Sequence, residues 1–186
     1  MRESEEMGSE SWNVLATAKD REQRRLAHRL KRFGDLRWTP FRGLLIGRVE
    51  DHHAFFEQLL RQEEDEPAFL SPIAKIVPID RTFDFTVENF TARLKEAVLP
   101  YAGHIGNGSF YVRLERRGHA GEIHSQQVEQ EMARVLYEVL SAQGKTPSVT
   151  FKDPDVIVVV ETVGDVCGVG VITRDMRTRF PFVRVP

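Results

Sequence analysis

SFYVRLERR at Ser109–Arg117, closed by Gly118, decides the fold. Phe110, Val112 and Leu114 alternate with Tyr111, Arg113 and Glu115, and a period of two sends the two sets to opposite faces of a sheet. The stretch therefore reads as a β-strand with an apolar, core-facing side. Its other side and its end carry Arg113, Arg116 and Arg117. Arginines brought to the rim of a sheet call for an anionic partner, inside the protein or outside it.

C-terminal to this strand, Gly118–Gly121 is a loop and Ser125 starts a helix running to about Gln143. Val128, Met132, Val135, Leu136, Val139 and Leu140 recur at helical spacing, and Gly144 supplies the stop. Ser148–Phe151 then leads through the turn at Asp153-Pro154 into Val156–Val160, and Val166–Ile172 follows. These last two runs are almost continuously apolar, which predicts central strands covered on both faces. N-terminal to the opening strand, Thr86 caps a helix to about Leu99, with Phe90, Leu94, Ala97 and Val98 on one face.

The preceding segment repeats the theme in another order. Trp12–Ala18 is a short strand, and Asp20 is the expected cap of a helix whose apolar set is Leu26, Ala27, Leu30 and Phe33, ended by Gly34. Arg21, Arg24, Arg25, Arg29, Lys31 and Arg32 lie opposite that set, a dense cationic face. Leu36–Phe41 and Leu44–Val49 are strands joined through Arg42-Gly43. Asp51 caps a second helix carrying Phe55, Phe56, Leu59 and Leu60, and Ile73–Ile79 is the last strand. Strand, helix, strand, strand, helix, strand is the split βαβ order of ferredoxin-like domains. The predicted organisation is α/β (α+β): a disordered acidic tail at 1–10, a ferredoxin-like unit at 11–82 and a second α/β unit at 83–186.

Composition excludes several classes. The longest apolar run, Val156–Val160, falls far short of the ~20 residues that span a bilayer, so no membrane association is expected. MRESEEMGSE has no apolar segment and is no secretory signal. One cysteine, Cys167, permits no internal disulfide, and the expected compartment is the cytoplasm. His119 and His124 with Cys167 lack a fourth ligand for zinc, GHIGNG (Gly103–Gly108) fails the dinucleotide fingerprint, and GKT (Gly144–Thr146) lacks the upstream glycine of a P-loop. Neither metal nor cofactor is expected. The net charge is −2, but it is unevenly spread: Ser11–Arg48 has 10 Lys and Arg against 3 Asp and Glu, whereas Val49–Pro100 has 5 against 11.

FYVRLERRG (Phe110–Gly118), VEQEM (Val128–Met132) and VTFKDPDVIVVVE (Val149–Glu161) together resemble the THUMP domain. The resemblance covers roughly residues 70 to 186, and the earlier part by architecture alone. Such domains occur in 4-thiouridine synthetases, tRNA methyltransferases, pseudouridine synthases and the adaptor of tRNA cytidine acetylation. The resemblance implies that the domain and its ferredoxin-like neighbour hold the tRNA acceptor end for a separate catalytic domain. The sequence is most similar to the stand-alone adaptor type, which implies tRNA and a tRNA-modifying enzyme such as an acetyltransferase as partners.

Guanidinium groups suit an RNA backbone because they donate paired hydrogen bonds to phosphate and stack on exposed bases. Arg116, Arg117 and Lys152 are the first-choice contacts, with Arg113 next; Arg24, Arg25 and Arg29 extend the track if the two units face the same way. Against this stands internal pairing with Glu115, Glu122 or Asp153. Arg174, Arg177 and Arg179 either join the track or belong to a solvated tail. Replacing Arg116 and Arg117 with alanine is expected to weaken tRNA binding and leave the melt unchanged. The competing reading is a small enzyme or ligand-binding protein with a pocket between its two units.

Overall fold

The computed structural model describes residues 11–186, so the acidic tail expected at 1–10 lies outside the described residues. The first unit runs β1 (Val14–Ala18), α1 (Gln23–Leu30), β2 (Asp35–Trp38), β3 (Leu44–Arg48), α2 (His52–Asp65) and β4 (Ile73–Pro78). Its strands are antiparallel in the order β2-β3-β1-β4, the ferredoxin-like arrangement that the element order predicts. Val14, Leu15 and Ala16 of β1 are all buried. Successive strand residues point to opposite faces, so this strand is covered on both sides. Asp51 caps α2 by accepting the Ala54 N–H at 2.6 Å. Asp20 does not cap α1: Arg21 takes a left-handed φ of 64°, α1 begins without a side-chain cap, and Asp20 pairs with Arg42 at 2.9 Å.

The second unit runs β5 (Arg81–Asp84), α3 (Phe90–Val98), a single 3-10 turn (Leu99–Tyr101), α4 (Ala102–Ile105), β6 (Ser109–Glu115), α5 (Ser125–Ala142), β7 (Ser148–Val149), β8 (Val156–Val163), β9 (Val166–Thr173) and α6 (Arg174–Arg179). The sheet order is β5-β9-β8-β6-β7, with β6 parallel to both of its neighbours and the other pairs antiparallel. β8 is buried from Val156 through Thr162, as its unbroken apolar run requires. Several elements differ from the sequence expectation, α4 and α6 among them. Thr86 and Asn89 exchange hydrogen bonds of 2.8 and 3.4 Å in a turn that precedes α3, so the helix itself starts four residues later. β7 stops at Val149 rather than Phe151. β5, whose only fully buried side chain is Phe83, was not foreseen, and it places Arg81 and Thr82 in the second sheet.

The two faces of β6 serve different cores. Phe110, Val112 and Leu114 join a cluster with Leu94, Met132, Leu136 and Leu140 of the helices. Tyr111 points the other way into a cluster that also contains Trp12, Ile76 and Phe56 of the first unit. The two units therefore share one core across the back of the second sheet. Gly168 and Gly170 of β9 permit that approach: a Cβ at Gly168 would lie 2.5 Å from the Trp12 ring, and one at Gly170 2.4 Å from the Pro78 carbonyl oxygen. The C-terminal segment, weighed above as a solvated tail, returns to the first unit. Phe180, Phe182 and Val183 are buried there, and the Phe182 carbonyl accepts the Ile76 N–H at 2.7 Å. No helix of the described residues is long and apolar enough to cross a membrane.

Candidate nucleic-acid interface

β6 ends in an ionic network. Lys75 of β4 donates to Glu115 and, at 3.1 Å, to Glu161 of β8; Arg117 donates to Glu161 and, at 2.7 Å, to Glu115. The Glu161 side chain is 2% exposed and that of Lys75 7%. Burial pushes the Glu161 carboxyl above the usual range, while the Lys75 and Arg117 cations pull it back. Two acids and two bases from both units thus neutralise each other at the joint. Arg117, expected to reach RNA, has its guanidinium committed to this joint with 12% exposure. Removing it would leave Lys75 alone against two carboxylates, one of them buried, so the expectation of an unchanged melt does not extend to Arg117.

The other predicted contacts divide. Arg116 donates to the Gly118 carbonyl at 2.6 Å. Arg113 lies 3.7 Å from Glu129 and over the Tyr111 ring at 5.5 Å. Arg29 is drawn inward to the Ala68 and Phe69 carbonyls and over the Phe69 ring. Arg25 pairs with Glu22 at 3.6 Å with half its side chain exposed. Arg24 and Lys152 are exposed and make no ion pair with the described residues. Arg113, Arg116, Arg117 and Lys152 belong to the second unit, whereas the three α1 arginines stand on the first. Arg174 and Arg177 pair with Asp153 at 3.2 and 3.5 Å, which ties α6 to the turn before β8.

His119 and Cys167 are also engaged. His119 binds Asp165 at 2.7 Å and Glu122 at 3.2 Å, and these carboxylates hold its pKa above the ordinary imidazole value. Cys167 is fully buried and burial pushes its thiol up. No group of three or more His, Cys, Asp and Glu among the described residues is arranged to hold a metal ion.

A groove of about 920 Å³ lies on the second unit alone, between α5 and the β6-β7 edge, and Tyr111, Arg113, Gln130, Tyr137, Val149 and Phe151 contribute to it. It does not lie between the units; a smaller cavity of about 400 Å³ does, lined by Thr17, Ala74 and Lys75 of the first unit and Glu115 of the second. Sequence reasoning missed the larger groove. The available signals were Tyr137, which falls off the apolar stripe of α5, and Phe151, whose ring follows a strand too short to bury it.

A family description fits this architecture. The THUMP domain family matches residues 82–172, the span from β5 to β9. Residues 82–172 are a THUMP domain. A THUMP domain implies binding to RNA. No curated protein matches the chain closely enough in sequence to identify a relative. Among solved structures, TrmN from Thermus thermophilus superposes with a TM-score of 0.61 at 20% identity, over 87% of this chain and 45% of TrmN. PH1313 from Pyrococcus horikoshii Ot3 gives 0.55 at 14%, over 86% of this chain and 54% of its own. A 4-thiouridine synthetase solved with RNA and ATP gives 0.55 at 12%, over 87% and 41%. At these identities the likeness is one of fold, and it extends across both units of the chain around the THUMP domain. The chain spans about half the length of these proteins or less.

Proposed function

We propose that this chain is a non-catalytic tRNA-binding protein of the cytoplasm, which holds the acceptor end and presents it to a separate tRNA-modifying enzyme. The observation that carries the reading is a THUMP domain fused through a shared core to a ferredoxin-like unit, the pairing also present in the fold of an RNA-bound 4-thiouridine synthetase. The side chains support binding rather than chemistry. Buried ionisable groups such as Lys75, Glu161 and Cys167 are locked in pairs or packing, while Arg24, Lys31 and Lys152 face outward with donors for phosphate. The shared core holds the two units at one angle, so a duplex gripped by both would be offered in a fixed pose.

Isolation of the chain from its native cells, with the bound RNA sequenced and co-purifying proteins identified, tests this. Acceptor-end fragments of tRNA together with a modifying enzyme, an acetyltransferase among the candidates, are expected. The purified chain alone should leave the tRNA mass unchanged. Recovery of other RNAs, or modification by the chain alone, would overturn the adaptor reading.

A further inference from the structure

Three of the four large hydrophobic side chains exposed among the described residues, Tyr137, Val149 and Phe151, line the same groove. Phe151 is 70% exposed, which no packing demand explains. Its ring stands 5.1 Å from that of Tyr111 at 41°, and the Arg113 guanidinium lies over the same tyrosine. Three planar groups are thus gathered at the rim, and the outermost has open space beside it.

β7 pairs with β6 only at Ser109 and Phe110, which leaves the β6 edge uncovered from Tyr111 on. That edge is not prepared for another strand, because the Glu129 carboxylate already accepts the Leu114 N–H at 2.8 Å. The charges that line the groove are matched, Arg113 with Glu129 inside it and Arg134 with Glu138 just beyond the lining. Such a surface favours a flat, weakly charged group over a bare phosphate. A cation without an ion pair to the described residues, Lys152, follows Phe151 directly in the chain.

We propose that this groove holds an unpaired nucleotide of the bound RNA, its base stacked on Phe151 and its phosphate at Lys152. The proposal rests on the RNA-binding reading above. Every base offers a π-face, so stacking on an aromatic side chain is sequence-tolerant. Gln126 and Gln130 at the groove wall carry amide donors and acceptors for the edge of the base.

Binding of full-length Phe151→Ala and Phe151→Trp protein to tRNA and to a blunt RNA duplex, each across a salt series, tests the site. Phe151→Ala should weaken tRNA binding about ten- to a hundredfold, with Phe151→Trp restoring it. The slope of log affinity against log salt should stay as in the wild type, because stacking releases no counterions. Duplex binding and the melt should not change. Lys152→Ala should instead reduce the slope by about 0.7. Unaltered tRNA affinity in Phe151→Ala, equal losses on tRNA and duplex, or loss of a protein partner with RNA binding intact would overturn the nucleotide site. A wild-type chain that binds no RNA would refute the function itself, a different result from a wild type that binds while Phe151→Ala binds equally well.

Discussion

Arg116 and Arg117 are neighbours in the chain with different duties. Arg117 neutralises Glu161 and Glu115 at the joint of the two units, whereas Arg116 bonds a loop carbonyl and has no carboxylate partner among the described residues. Breaking a buried ion pair from one side leaves an uncompensated charge and costs about 3–5 kcal/mol. Urea denaturation should therefore show Arg117→Ala destabilised by roughly that amount, and Arg116→Ala by less than about 1.5 kcal/mol. Equal, small losses in both variants would contradict the network. His119 provides a pH-dependent case. Hydrogen bonds donated to Asp165 and then Glu122 raise its folded pKa, so its contribution to stability is full below the ordinary value of about 6.5 and is lost as pH rises through the folded pKa. An NMR titration should place His119 above 6.5 and Asp165→Asn should lower it; an unshifted midpoint would show the pairs to be inconsequential.

At the scale of elements, periodicity carried most of the information. β6, α5 and the paired runs of β8 and β9 were legible because their alternating, helical or unbroken apolar patterns each match one geometry. β5 was not, since RTFD buries only Phe83 fully and four residues cannot establish a period. α6 and the Phe180–Val183 return were missed for a related reason: arginines dominate the segment, and its burial depends on the distant partners Ile76 and Phe56. The internal fates of Arg29 and Arg117 were illegible likewise, because Phe69 and Glu161 are far away in the chain. The glycines of β9 had a cause that only packing reveals. Gly170→Ala would press a methyl against the Pro78 carbonyl, a backbone atom with little room to yield. It should cost about 1–3 kcal/mol in chemical denaturation, and a neutral result would mean that the units do not approach as closely as β9 and β4 do here.

For the molecule as a whole, a net charge of −2 conceals a surface with separated roles. Part of the arginine complement is internal mortar, and the cations that remain outward include those of α1 and the lysine after Phe151. Each phosphate contact adds about 0.7–0.9 to the salt slope of binding, and Arg24, Arg25, Lys31 and Lys152 are the four exposed cations that the binding account calls on. The most direct measurement is the affinity for tRNA across a salt series. RNA binding through these cations predicts firm binding at low salt and a linear fall of log affinity with log salt, with a slope of about −3. Absence of binding at low salt, or an affinity indifferent to salt, would contradict it.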